Sequence, residues 1–238
     1  MGIKERQERD REAVRRAILD AARELFVTEG FQHVSIRKIA ERIEYSPAAI
    51  YSYFASKDDI FFALAEEGFR LLGSPADSAA QDQLKGLAPL ERLRAVFWRL
   101  YEFSRQHPQY FALMFMERSV PRISREYDRF AFVRLRKQEI AAEIEACIAS
   151  GALPAATKPG VAVRMLTAGL IGIAGLRLSE RLAASENADD LAGDMLDVTI
   201  AGLRSGVALR SSSSALCVDE PHTDLHPAQA LAPAVQES

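Results

Sequence analysis

The sequence has little cysteine: two thiols in 238 residues, Cys147 inside a helical pattern and Cys217 in a polar stretch. Two such thiols make no disulfide framework, so the fold must rest on a buried core in a reducing compartment. Convincing alternating strands are absent as well, which argues against a sheet-based architecture. No phosphate-binding glycine loop, nucleophile elbow, His-Glu-x-x-His or CxxC pair occurs, and a small-molecule enzyme is therefore the weaker reading. Histidine is sparse, at positions 33, 107, 222 and 226. His222 and His226 with Cys217 form the one metal-like grouping, but Pro221 and Pro227 oppose the helix that would align them, so neither metal nor cofactor is expected. The longest apolar run, 165–176, lies between Arg164 and Arg177 and falls short of the ~20 residues of a membrane span. The opening "MGIKERQERDREAVRR" is densely charged and has no apolar signal segment. A cytoplasmic protein without a membrane partner is the expectation.

Excess charge of either sign is also missing from the folded part. Thirty Lys and Arg stand against 33 Asp and Glu, for a net charge of −3. Four of those acids, Asp219, Glu220, Asp224 and Glu237, follow Arg210 with no base among them, so the body is close to neutral. From 211 to the end there is no aromatic residue and no lasting period, which reads as a disordered tail.

What is present is helical period almost throughout, and the predicted fold class is all-α. Val14, Ile18, Ala21, Leu25 and Phe26 repeat at helical spacing, with Gly30 as the stop. Ser35 can cap a second helix with Ile36, Ile39, Ala40 and Ile43 inward, and Ser46-Pro47 reads as N-cap and first residue of a third. Ser56 to Asp59 resembles a capping box that starts a fourth helix running to about Gly73. The small-residue stretch at 73–88 separates this head from a larger body, whose helices are expected from Pro89, from Pro108, over 124–150, over 158–184 and over 188–205. The organisation is thus a charged arm at 1–12, a head at 13–73, a body at 74–210 and the tail at 211–238.

The third helix, "SPAAIYSYF", holds the feature that points to function. Each helical residue turns about 100°, so with Ile50 inward, Phe54 also faces in, Ala48 and Ser52 point out, and Ala49 and Tyr51 stand on the flanks. Such a slim outer face can enter a DNA major groove, where Ala meets a thymine methyl and Ser a base edge. Tyr51 and Tyr53 can reach phosphates from the rim. Ser35, Arg37 and Lys38 open the preceding helix, whose dipole also attracts phosphate, and Lys57 adds a cation nearby. Two short helices joined by a tight turn make a helix-turn-helix over 35–54. The N-terminal "KERQERDRE" reads either as a phosphate-contacting arm or, given its acids, as a solvated helix extension.

The words "AILDAARELFVTEGF", "SIRKIAERI" and "SPAAIYSYFASKDDIF", in this order and spacing over residues 13–62, resemble the N-terminal domain of the TetR (tetracycline repressor) family of bacterial transcription regulators. The resemblance implies DNA contacts at Ser35, Arg37, Ala48, Ala49, Tyr51, Tyr53 and Lys57, to which the residue reading adds Lys38, Ser46 and Ser52. It implies a repressor released from double-stranded DNA by a small-molecule effector, with an activator or a ligand-independent regulator as the alternative. Two positions depart from the family pattern. Glu44 stands where the turn usually has Gly, at a cost on the order of 1 kcal/mol if φ is positive, and Tyr53 stands where His is usual.

Eleven Lys and Arg balance eleven Asp and Glu from 1 to 61, so DNA binding must rest on charge placement and on two heads used together. Val161, Met165, Ala168, Gly172 and Gly175, with Leu191, Met195, Val198 and Gly202, step by three and four like a packing seam. By resemblance this seam forms a homodimer's four-helix bundle, which would set two heads on a near-palindromic operator; packing within one chain is the other reading. Between head and seam lie Phe97, Trp98, Tyr101, Tyr110, Phe111, Met114, Phe115 and Arg118. They are the candidate lining of an apolar effector pocket, with His107 as a further polar contact.

Overall fold

The computed structural model describes residues 2–73, 84, 86–121 and 131–211, without the side chains of Ile3 and 131–137. Most of the predicted break at 73–88, the first turns of the helix expected from 124, and the tail with Cys217, His222 and His226 lie outside the described residues. Among those residues every regular element is helical.

The head is built from α1 (Ile3–Glu29), α2 (Ile36–Arg42), α3 (Pro47–Tyr51) and α4 (Lys57–Gly73). Its local signals work as the sequence suggests. Ser35 Oγ accepts from the Lys38 amide at 3.2 Å and Ser46 Oγ from the Ala49 amide at 3.1 Å, so each takes up one of the free donors at a helix start. At α4, Ser56 Oγ accepts from the Asp59 amide at 3.1 Å and donates to the Asp59 carboxylate at 2.7 Å. A 3-10 turn at Phe31–His33, which the periodicity did not reveal, drops Phe31 between Phe26 and Phe61, with ring centroids at 4.9 and 5.7 Å. These rings close a core with Ile18, Ile39, Ile50 and Leu64, all fully buried.

In the body follow α5 (Pro89–Gln106), α6 (Pro108–Phe111), a π-type turn at Ala112–Met116, α7 (Ala131–Ala149), α8 (Pro159–Leu178) and α9 (Ala188–Arg204). The apolar segment after Pro108 therefore does not continue as one α-helix: the Glu117 amide bonds Ala112 O at 2.9 Å, five residues back. This wider turn sets Met114 against α4, where Gly68 leaves the room; a Cβ there would overlap the Met114 sulfur. Tyr101, Phe111 and Leu113 are fully buried in the same core.

α8 ends at Leu178, earlier than the expected 184. Glu180, at φ 54°, turns the chain left-handed, and the Arg181 amide closes the helix on Leu176 O at 2.9 Å. At twenty residues α8 is nonetheless long and apolar enough to cross a membrane by those two measures, contrary to the sequence estimate. Its buried side, Leu166, Leu170, Ile173 and Ala174, packs within the chain, mostly on α9 and to a lesser, equal extent on α5 and α7. Its other side is open, with Met165 at 42% and Leu176 at 39% exposed, and Val198 of α9, at 72%, is exposed too.

Candidate nucleic-acid interface

The outward face of α3 is as the helical wheel requires. Ile50 and Phe54 are buried, Ala48 and Ser52 are exposed, Ala49 is half-buried and the Tyr51 ring is 56% exposed. Ser52 donates to Ala49 O at 2.6 Å, which leaves its oxygen as an acceptor toward a base. Tyr53 is half-buried, with the Arg11 guanidinium 5.9 Å above its ring.

The turn ahead of α3 carries the departure at Glu44, which does sit at φ 60°. The Tyr45 amide reaches Ala40 O at 2.9 Å and the Glu44 amide Glu41 O at 3.3 Å, a Schellman ending of α2 with Glu44 in the left-handed position glycine favours. Tyr45, 45% exposed, stands beside the N-cap of α3. The sequence reading passed it over, although an aromatic residue directly before an N-cap could have been taken as a surface contact.

The basic side chains of this face are already engaged. Arg37 pairs with Glu41 at 2.9 Å, Arg42 with Glu24 at 2.6 Å, and Lys38 with Glu29. Lys57 donates to Phe31 O at 2.7 Å and Val34 O at 2.9 Å, with its ammonium 4.1 Å from the Phe31 ring centre. Burial holds its pKa below the ordinary lysine range, against the pull of Asp58. Lys57 thus closes the 3-10 turn, leaving one N–H for a phosphate. The three ion pairs are partly exposed, so exchanging a carboxylate for a phosphate costs little, about 0–1 kcal/mol each.

Head and body meet at a polar cluster that the sequence did not reveal. Arg16 of α1 bonds Asp20 at 2.8 Å and also Glu67 of α4. Arg23 donates to the Tyr110 hydroxyl at 2.8 Å and to Gln109 Oε1 at 3.0 Å, both on α6. Burial alone would raise the Glu67 pKa, but Arg16, Tyr110 and Arg70 more than offset it and hold the carboxyl below its ordinary value. The 16, 20, 23 spacing was a readable stripe on α1; its partners across the junction were not.

The expected pocket residues divide. Tyr101 and Phe111 are fully buried, Phe97 nearly so, and Trp98, Met114 and Phe115 half-buried. Arg118 is exposed, beyond the end of the π-type turn, and is corrected to a surface residue. Tyr110 joins the head–body cluster, and His107 is half-buried at the end of α5. The Tyr101 hydroxyl donates to Asp189 at 2.8 Å; burial and that carboxylate push its pKa up to about 12. Arg177 donates to Ser104 O at 2.7 Å, while its buried Nε–H has no hydrogen-bond partner among the described residues.

The seam needs a correction of the same kind. Val161 is 4% exposed and faces the core, Gly175 has Met116 beside it, and Gly169 makes room for Met195 within the chain. A three-and-four period fixes a stripe but not which of two neighbouring helices it meets. Met165, Ala168, Gly172 and Val198 do lie on the open face, and among the described residues a Cβ at Gly172 or Gly202 would meet nothing within 4 Å.

Comparison with known proteins agrees with this architecture. A sequence profile of bacterial regulatory proteins of the tetR family matches residues 18–64, and that of a tetracyclin repressor-like C-terminal domain matches residues 93–199. The chain is 44% identical over 55 residues to the HTH-type transcriptional repressor Rv1474c of Mycobacterium tuberculosis, covering 23% of this chain and 29% of that protein. It is 35% identical over 88 residues to the HTH-type transcriptional regulator HbdR of Aromatoleum sp., covering 35% of each. The matched span is thus about a third of the length of these curated relatives. Among solved structures, the regulator FadR from Bacillus subtilis in complex with stearoyl-CoA superposes with a TM-score of 0.62 at 16% identity, covering 78% of this chain and 97% of that one. The TetR family transcriptional regulator PfmR from Thermus thermophilus does so with a TM-score of 0.61 at 20% identity, covering 78% and 98%.

Proposed function

The chain belongs to the TetR family of bacterial regulatory proteins, and from that membership we propose that it is a sequence-specific, DNA-binding transcriptional regulator, a repressor released from its operator by a small, largely apolar ligand. The observation that carries this reading is the exposed face of α3, small at Ala48 and Ser52 and aromatic at Tyr51, held out by caps at Ser46 and Ser35. Ala48 and Ser52 read base edges; Ala49 flanks them; Tyr51, Tyr53, Arg37, Lys38 and Lys57 position the head on phosphates.

The open face of α8 and α9 supports a homodimer. Met165, Ala168, Gly172, Leu176 and Val198 give it an apolar surface, and two small residues let helix axes approach closely. Two heads then address successive major grooves of a near-palindromic operator. The aromatic body under the π-type turn supports an apolar effector, and the stearoyl-CoA held by the B. subtilis FadR offers the first compound class to test. The protein acts in the cytoplasm and catalyses nothing.

Binding to the DNA upstream of its own coding sequence, by fluorescence anisotropy at ~0.15 M salt with a scrambled duplex as control, tests the regulator reading. Sequence-dependent binding is expected; equal affinity for both duplexes, or none, would end it. Long-chain acyl-CoA and free fatty acid added to the complex then test release.

A further inference from the structure

α1 runs well past the head's core. Its first exposed turns carry Lys4, Arg6, Arg9 and Arg11, and among the described residues none of these four has an ion-pair partner. Most of the other head cations differ: Arg15, Arg16, Arg23, Arg37, Lys38 and Arg42 pair with acids, and Lys57 is bound to backbone carbonyls. Unpaired head cations are therefore concentrated on the extension, beside Glu5, Glu8 and Asp10, which likewise have no ion-pair partner among the described residues, so their placement on the helix decides what they can reach.

Its direction is set by two ring contacts. Arg11 lies over the Tyr53 ring at 5.9 Å and Arg15 over the Phe54 ring at 5.5 Å, which anchors one face of α1 beside the end of α3. Lys4 falls within about 20° of Arg11 on the helix, whereas Arg6 and Arg9 fall about 140–160° away. Lys4, Arg11 and Arg15 make a basic row roughly 16 Å long. Glu8 borders it, and Glu12 touches Arg15 at 3.5 Å, an exposed pair that a phosphate can displace.

We propose that this row is a second DNA-contacting element, in which Arg11 and Arg15, with Lys4 beyond them, hold the phosphate backbone flanking the groove that α3 enters. It rests on the DNA-binding reading above and is continuous with that interface. The row contacts phosphates only, so it adds affinity on every sequence and selects none.

The test uses the full-length protein and a random-sequence 30-base-pair duplex, with binding constants measured from 50 to 200 mM salt. Each phosphate contact contributes about 0.9 to the slope of log affinity on log salt, so removing two per head from a two-headed complex lowers that slope by about 3.6. The advantage of the parent over R11A/R15A then shrinks roughly a hundredfold across this salt range. R6A/R9A, on the opposite face, and R11K/R15K, which keeps the charge, should retain the parent slope. An unchanged slope in R11A/R15A, or an equal loss in R6A/R9A, would overturn the proposal while leaving the regulator reading intact. A parent protein that binds no duplex even at 50 mM salt would overturn both.

Discussion

Replacing Glu44 by glycine should stabilise the protein, because the backbone at that position is left-handed in a non-glycine residue. The left-handed conformation costs an L-residue about 1–2 kcal/mol. Glycine relieves this but loses about 0.5–1 kcal/mol more conformational entropy on folding. The net gain is about 0.5–1 kcal/mol, and for a chain of this size the melting temperature should rise by about 2–3 °C. Glu44→Ala is the decisive control, since it removes the carboxylate and retains the strain; its melting temperature should stay within ~1 °C of the parent. Both variants also remove a negative charge beside the DNA face. At a phosphate distance of ~10 Å in water, this gains each head about twofold in affinity at low salt. Thermal melts followed by circular dichroism, with a guanidinium titration alongside, make the comparison. Equal stability of Glu44→Gly and Glu44→Ala would refute the strain argument.

Gly172→Leu should raise the dimer dissociation constant by at least about tenfold without destabilising the subunit, because none of the described residues lies within 4 Å of a Cβ there and leucine favours the helix by ~1 kcal/mol. Sedimentation equilibrium decides it, and an unchanged constant would remove Gly172 from the interface. Tyr51→Phe should weaken binding about fivefold per head, about 25-fold for the two-headed complex, on every operator variant alike, the loss of one phosphate hydrogen bond of ~1 kcal/mol from each head; a loss confined to one base pair would make Tyr51 a reader of sequence. The depressed pKa of Glu67 gives a signed pH effect. Its folded-state value lies below the unfolded one, so its contribution is whole above about pH 4.3–4.5 and is lost as pH falls through the folded pKa. Glu67→Gln should flatten the stability profile below about pH 4.5 in urea titrations; a profile as steep as the parent's would remove Glu67 from acid unfolding.

The readable parts of this fold were the local ones. Ser35, Ser46 and Ser56 announce their helices because a cap is satisfied within three residues, and Ile50 with Phe54 orients α3 by period alone. The end of α8 was missed because Arg-Leu-Ala-Ala favours a helix, and the residue that stops it, Glu180, carries no glycine signal. The π-type turn was invisible since an apolar run looks the same in either winding. At the candidate interface the positions were legible but their availability was not. Lys57 reads as a free cation until Phe31 O and Val34 O are found on its ammonium, and Val161 reads as seam until it is found inside. Both depend on residues distant in the chain, which no spacing encodes.

The internal pairing of the head's cations bears on how such a protein behaves in a cell. Non-specific affinity for DNA comes almost wholly from unpaired positive charge, and roughly 10⁶–10⁹ wrong sites compete with one operator. With Arg37, Lys38 and Arg42 each matched by an acid, wrong sites are held chiefly through the α1 row proposed above. Trimming that row would therefore lower sequestration along the chromosome and leave intact the α3 face that reads the operator.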